Sequence, residues 1–157
     1  MKITFLTVGK TEDAYLKDGI EKYVKRLKHY TRLEIINLPE LKNTKALTPE
    51  QQKNKEAEMI LKKIVPTDHV ILLDENGMEL TSKKFAAYLE KKNISATASL
   101  IFIVGGPYGF DETVYQRAND KISLSRMTFS HQMVRLFFTE QLYRAFTIIK
   151  GEPYHHE

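Results

Sequence analysis

Hydrophobic and polar residues follow two alternating patterns from one end of the chain to the other. Short apolar runs, typical of buried strands, alternate with segments in which apolar residues recur every three or four positions, as on one face of a helix. The predicted strands are residues 3–8, 33–38, 69–74, 100–104 and 122–125. The predicted helices are residues 16–27, 49–64, 83–92, 111–118 and 131–149. This order predicts an α/β fold in which a mostly parallel sheet is flanked by helices.

Local signals mark the ends of these elements, and none of them marks a second domain. Thr48, Pro49 and Gln51 are the cap, the first-turn proline and the capping-box partner expected where a helix starts. Asn76-Gly77 predicts a turn after the third strand. Since the chain has no internal repeat and no long linker, we expect residues 1–157 to form one domain.

The last predicted helix carries more apolar residues than one sheet can cover. These residues are Met133, Val134, Leu136, Phe137, Phe138, Leu142, Tyr143, Ala145, Phe146, Ile148 and Ile149. A second packing partner is therefore expected, and a second copy of the chain related by symmetry is the simplest one. The alternative is a monomer in which this helix lies at the centre.

Composition excludes several classes of protein. The absence of cysteine excludes disulfides, thiolate nucleophiles and cysteine-ligated metal sites. No apolar run approaches the roughly 20 residues of a membrane helix, and residues 1–5 lack the pattern of a signal peptide. We therefore expect a cytoplasmic protein that does not enter membranes.

The net charge of +4 is unevenly distributed. Residues 1–65 hold 14 Lys and Arg against 9 Asp and Glu, whereas the rest of the chain is nearly balanced. Such a surplus fits either contact with a polyanion such as RNA or an ordinary solvated helix face. The candidate phosphate contacts are Lys22, Lys25, Arg26, Lys28, Lys42 and Lys45.

Three segments follow predicted strands and are candidates for a ligand site. They are Leu72-Leu73-Asp74, the glycine-rich loop 105–109 and the loop 125–130. In open α/β sheets, ligands bind beyond the carboxyl ends of the strands, and glycines let the backbone approach a ligand closely. The glycine loop could equally be a tight connection to the next helix.

Several kinds of catalysis lack their motifs. The glycine loop is neither a dinucleotide fingerprint nor a nucleotide triphosphate loop. The five histidines show no metalloprotease spacing, so no metal is expected. Ser130-His131 is not a nucleophile elbow, because glycines do not flank the serine. The C-terminal segment 152–157 carries a tyrosine and two histidines; composition alone favours a frayed end over a functional one.

The chain resembles the ribosomal RNA large subunit methyltransferase H family, a group of small bacterial SPOUT methyltransferases. The resemblance covers the whole chain and is most specific in its C-terminal third. It is carried by Met1-Lys2-Ile3, Val8-Gly9-Lys10, Leu72-Leu73-Asp74, Gly105-Gly106, Ser123-Leu124-Ser125, Met127-Thr128-Phe129, His131-Gln132, Arg135, residues 140–145 and the terminal Pro153-Tyr154-His155.

The resemblance implies a trefoil-knotted α/β fold, an obligate homodimer and an S-adenosylmethionine site formed by the knot loops. The cofactor-binding residues it implies are Leu73, Gly105, Gly106, Ser125, Arg126, Met127, Thr128, Phe129 and Ser130. Relatives commonly have proline where this chain has Ser130. Serine can cap the following helix, so we expect the loop to keep its course, with cofactor affinity the property most open to change.

The reaction implied by the resemblance is methylation of N3 of a pseudouridine in 23S ribosomal RNA on assembled ribosomes. His155, Tyr154 and Arg144 are the catalytic candidates, with the tail of one subunit closing over the cofactor of the other. Which of them is a general base, if any, stays open. The alternatives are a SPOUT methyltransferase that acts on another RNA, such as transfer RNA, and a non-enzymatic ribosome-binding module.

Overall fold

The computed structural model describes residues 1–156, which form five strands, five α-helices and one short 3-10 helix. The strands are β1 (Lys2–Val8), β2 (Arg32–Leu38), β3 (His69–Glu79), β4 (Ser99–Val104) and β5 (Asp120–Ser123). The helices are α1 (Ala14–Leu27), α2 (Pro49–Lys62), α3 (Ser82–Ile94), α4 (Glu112–Arg117) and α5 (His131–Ile149). The 3-10 helix, Thr44–Ala46, lies in the predicted polar loop after β2.

The five strands form one parallel sheet in the order β2-β1-β4-β3-β5. Side chains alternate between its faces: Ile3 and Phe5 of β1 belong to one core cluster, and Leu6 and Val8 belong to the other. Helices α1, α3 and α5 supply the first cluster, whereas α2 and α4 cover the second. The predicted α/β architecture is therefore confirmed, and the strand order is consistent with the knot that the resemblance implies.

The turn predicted at Asn76-Gly77 is wrong. Strand β3 continues through these residues to Glu79, and its pairing with β5 shifts register between Leu73 and Met78, both of which lie opposite Ile122. A Cβ at Gly77 would lie 2.6 Å from the backbone nitrogen of Ile122. The glycine thus serves the close approach of two strand backbones at a bulge, instead of a reversal of the chain.

The helix start predicted at Thr48 is confirmed. The Thr48 hydroxyl accepts a hydrogen bond from the backbone N–H of Gln51 (3.1 Å), and the Gln51 side chain accepts one from the N–H of Thr48 (2.9 Å). Pro49 begins the helix, where its missing N–H leaves no intrahelical bond unmade.

Helix α5 packs between α1 and α3 and is tied to the carboxyl end of β1 by one buried cation. Arg135 is 1% exposed, and its guanidinium donates to the carbonyls of Val8 and Gly9, both at 2.9 Å. Burial lowers the pKa of Arg135, partly offset by Glu12 and Glu40. On the other side of α5, Phe137 remains 40% exposed within a single chain.

Candidate functional site

A cleft of about 590 Å³ lies beyond the carboxyl ends of β3, β4 and β5. Its walls come from the three segments that the sequence singled out, together with the start of α4 and α5. The lining residues are Leu73, Asp74, Glu75, Asn76, residues 104–110, Tyr115, residues 123–125, residues 127–131 and Val134.

The glycine loop forms one wall of the cleft. Gly105 is buried, and a Cβ there would approach the carbonyl oxygen of Gly109 and the Phe110 ring at 3.2 Å. The N–H of Gly109, which has a φ of +81°, donates to the carbonyl of Gly106 at 3.2 Å. A side chain would be crowded at Gly105 and strained by the positive φ at Gly109, so the loop presents backbone to the cleft.

The loop from Ser125 to Ser130 forms the opposite wall and is held by its own hydroxyls. The Ser125 hydroxyl accepts a hydrogen bond from the N–H of Met127 at 2.9 Å. The Ser130 hydroxyl accepts one from the N–H of Met133 at 3.1 Å and so caps α5. The cap expected of serine is present, and the φ of −60° at Ser130 is one that proline also adopts.

The charged groups of the cleft are acidic. Asp74 accepts hydrogen bonds from the Tyr115 hydroxyl and, at 2.8 Å, from the N–H of Asn76. Glu75 accepts a longer one, 3.4 Å, from Thr128. Burial and the hydrogen bond to Asp74 raise the pKa of Tyr115, so the phenol stays protonated. Burial, helped by the nearby guanidinium of Arg135, lowers the pKa of His131, which favours a neutral imidazole.

No lysine or arginine of the described chain lines the cleft. Phosphate sites use Lys, Arg or helix N-termini to balance charge. This wall of backbone, hydroxyls and carboxylates therefore suits a ligand that is neutral or cationic at its centre.

Eight of the nine predicted cofactor-binding residues line the cleft together. The exception is Arg126, whose Nε donates to the Glu79 carboxylate at 2.7 Å on the surface. Tyr115, Glu75 and His131 line the cleft although sequence reasoning did not select them. The packing of α4 and α5 brings Tyr115 and His131 there, whereas Glu75 directly follows Asp74 on β3, so its position in the sequence was a usable signal.

The three predicted catalytic residues form a second cluster at the end of α5. One Arg144 nitrogen donates to Glu140 at 2.5 Å, and the other lies 3.1 Å from Nδ1 of His155. The Tyr154 hydroxyl donates to the same Glu140 oxygen at 3.0 Å, and the Arg144 guanidinium stacks over the Tyr154 ring at 4.8 Å. Sequence reasoning missed Glu140, although its spacing of four residues from Arg144 on a helix was a usable signal.

The hydrogen bonds fix the charge states of this cluster. The hydrogen bond to Glu140 raises the pKa of Arg144, which remains a cation. Burial, with hydrogen bonds to Tyr23 and Glu140, raises the pKa of Tyr154, which therefore stays protonated at neutral pH. Tyr154 is thus a hydrogen-bond donor in this arrangement and not a base.

Three residues of the C-terminal segment contact the protein, so the frayed end favoured by composition is wrong for Glu152, Tyr154 and His155. Pro153 and His156 are exposed, and Glu157 lies outside the described residues. The N–H of Glu152 donates to the carbonyl of Thr147 at 2.9 Å. Tyr30 donates to the Glu152 carboxylate at 2.5 Å, and this bond raises the pKa of Tyr30 to about 12.

The tail cluster and the cleft lie apart within one chain. None of Arg144, Tyr154 and His155 lines the cleft. His131 at the start of α5 does line it, and Arg144 follows 13 residues later on the same helix. At a rise of 1.5 Å per residue, that separation is about 20 Å along the helix axis.

Residues 1–156 hold no group of three or more His, Asp or Glu side chains that could bind a metal ion. None of the helices in this range combines the length and the hydropathy that a membrane crossing needs.

Comparison with known proteins gives consistent matches. Residues 1–155 match the family model described as "Predicted SPOUT methyltransferase". Ribosomal RNA large subunit methyltransferase H of Bacteroides fragilis is 54% identical over 157 residues, covering 100% of both chains. The protein of that name from Cytophaga hutchinsonii is 56% identical over 156 residues, covering 99% of this chain and 100% of the relative. A solved structure, a probable methylase family protein from Haemophilus influenzae Rd KW20, aligns with a TM-score of 0.49 at 12% identity, covering 99% of this chain and 70% of that one.

Proposed function

Because the chain belongs to the SPOUT methyltransferase family, we propose that it transfers a methyl group from S-adenosylmethionine to N3 of a pseudouridine in 23S ribosomal RNA. The proposed ribosomal substrate follows from the names of its relatives. The proposed cofactor and the methylated nitrogen follow from the resemblance described for the sequence. The proposed unit is residues 1–157 acting as one domain in the cytoplasm, on assembled ribosomes.

The observation that carries the proposal is the composition of the cleft. A volume of about 590 Å³ is within the ordinary range of small-molecule sites. Backbone groups of the glycine loop and hydroxyls of the 125–130 loop can bond the ribose, base and amino-acid parts of the cofactor. Two carboxylates and no cationic side chain suit a ligand with a positive centre.

For this reaction the protein has to align the methyl donor with the acceptor nitrogen and to stabilise the charge that develops on the acceptor. When bound, the cofactor supplies a methyl group on a cationic sulfur, which is already a strong electrophile. The acceptor is an imide nitrogen whose N–H bond must break as its bond to the methyl group forms, with the proton released to solvent water. Arg144 would stabilise the negative charge that develops on the uracil ring, Tyr154 would hydrogen-bond or stack on it, and His155 would hold Arg144 in place.

A homodimer would unite the two separated clusters. The cleft and the tail of one chain lie about 20 Å apart along α5, whereas a symmetric pair can place each tail over the partner's cleft. The half-exposed apolar side chains of α5, Phe137 among them, would form the interface. The active site proposed here is therefore shared between two subunits.

Recognition of the substrate would rest on the ribosome more than on naked RNA. The six candidate phosphate contacts are all exposed, yet the net charge is only +4. So small a surplus binds RNA weakly at physiological salt. Contacts to the shape of an assembled particle would supply the rest.

The test is methylation of ribosomes from cells that lack this gene, with methyl-labelled S-adenosylmethionine, followed by mapping of the label. Label on one pseudouridine of 23S RNA supports the proposal. Label on transfer RNA instead would keep the enzyme class and change the substrate. Absence of both label and cofactor binding would overturn the proposal in favour of a ribosome-binding module.

A further inference from the structure

Glu56 is a buried carboxylate that the proposed reaction does not use. It lies on α2 and is 4% exposed. It forms no salt bridge with any residue in the range 1–156. Its hydrogen-bond donor is the side chain of Gln52, at the long distance of 3.4 Å. Buried carboxylates are costly to leave without a partner charge.

The carboxylate lies directly behind the wall of the cleft. A Cβ added to Gly106 would lie 2.6 Å and 2.7 Å from the two carboxylate oxygens. Gly106 lines the cleft, whereas Glu56 does not. The Glu56 carboxylate therefore packs against a residue whose backbone lines the cleft.

Glu56 differs from the acidic groups inside the cleft in how far it is shielded from water. Asp74 and Glu75 are partly exposed, and water screens their fields. Glu56 is shielded from water, so its field reaches the cleft with less loss. Burial raises the pKa of Glu56, which means that the protein alone disfavours the charged form. A positive charge across Gly106 would favour it again.

We infer that Glu56 is a specificity-determining residue that makes the cleft bind a cationic ligand in preference to a neutral one of the same shape. This inference rests on the proposed function, in which the methyl donor is a sulfonium cation and its demethylated product, S-adenosylhomocysteine, is a neutral thioether. The two molecules share every other group. Glu56 would therefore favour retention of the donor and release of the spent cofactor.

The test is the ratio of two dissociation constants, measured by calorimetry on the full-length protein. Glu56→Gln keeps the size of the side chain and removes its charge. We expect Kd for S-adenosylmethionine to rise about tenfold, a typical effect of one poorly screened charge. Kd for S-adenosylhomocysteine should change by less than about twofold. Glu58→Gln, at an exposed position of the same helix, is the matched control and should change neither.

Equal weakening of both ligands by Glu56→Gln would assign Glu56 a structural role and overturn the inference, as would no change in either. If the unmodified protein binds neither S-adenosylmethionine nor S-adenosylhomocysteine, the proposed function itself is overturned. Thermal melts check that each variant folds. Should Glu56→Gln not fold, Glu56→Met removes the charge with a side chain of similar length and is expected to give the same change in ratio.

Discussion

The imidazole of His155 receives a hydrogen bond at Nδ1 from Arg144, since a guanidinium nitrogen can only donate. The lone pair that a general base needs is occupied at that nitrogen, and the proton of the neutral ring then lies on Nε2. We therefore propose that His155 positions Arg144, and that Arg144 carries the charge that would meet the substrate. A positioning residue and a general base differ in how much their removal lowers kcat and in how it changes the dependence of kcat on pH.

We predict that His155→Ala lowers kcat by less than about tenfold, whereas Arg144→Ala lowers it by about a hundredfold or more. The measurement is methyl transfer to ribosomes at saturating substrate from about pH 5 to about pH 9, a range wide enough to show an acid limb. A loss of 10²-fold or more in His155→Ala, with the acid limb of the profile gone, would identify a general base instead.

The space that a side chain at Gly106 would fill is occupied by the side chain of Glu56. A Cβ there would lie under 3 Å from three atoms of the Glu56 carboxylate group. We predict that Gly106→Ala lowers the free energy of unfolding by about 1 kcal/mol, the low end for overpacking, because the crowding atoms are the end of a flexible side chain that can shift. Adding Glu56→Ala should recover part of this loss. Urea unfolding of the two single variants and the double variant measures the coupling, and strictly additive effects would contradict the contact.

At the scale of elements, strands β3 and β5 and helix α3 meet in a polar cluster at the amino ends of the strands. Asp120 accepts hydrogen bonds from Tyr88 at 2.6 Å and from His69 at 2.8 Å, and Lys92 lies 3.9 Å away. Burial alone would raise the pKa of Asp120, but these hydrogen bonds and charges outweigh it and lower the pKa below its ordinary value of 3.8. The charged carboxylate therefore stabilises the folded state.

We predict that this stabilisation is full above the ordinary pKa of Asp120 and is lost as the pH falls through the lower folded value. Asp120→Asn should destabilise the protein at pH 7 and flatten the acid side of its stability curve. Glu90→Gln, an exposed acid on α3, is the control. Unfolding free energies measured from pH 7 to about pH 2 check the prediction; an unchanged acid slope in Asp120→Asn would contradict it.

Local signals predicted the elements better than the contacts between them. The capping box at Thr48 and the glycine-rich loop after β4 involve neighbours in sequence, and both were found where expected. Asn76-Gly77 misled, because the same dipeptide fits a turn and a bulge, and only the backbone of β5 beside Gly77 decides between them. The approach of Glu56 to Gly106 depends on how α2 packs on the sheet, which no periodicity records.

At the scale of the whole molecule, the separation of cleft and tail gives a test of the proposed dimer. Thr128→Trp would fill part of the cleft from an exposed position, and Arg144→Ala removes the cation of the tail cluster. Each variant alone should be inactive. After subunit exchange, a shared site predicts recovery of about a quarter of normal activity, since half of the dimers are mixed and each mixed dimer has one intact site.

Native mass spectrometry establishes that mixed dimers have formed, and labelled methyl transfer gives the activity. A mixture that contains mixed dimers but recovers no activity would place cleft and tail of the same chain in one site. A mixture in which no dimers of any kind form would contradict the proposed interface.

The bonds from Arg135 to Val8 and Gly9 join parts of the chain that are 127 and 126 residues apart. Synthesis delivers β1 first and α5 last, so the carbonyls at the end of β1 acquire their buried partner only after nearly the whole chain has been made. Contacts of such long range slow folding, because a large loop must close before they form. A chain without α5 would leave those carbonyls and the apolar face beneath them open, so the core beside β1 closes only after α5 has been synthesised.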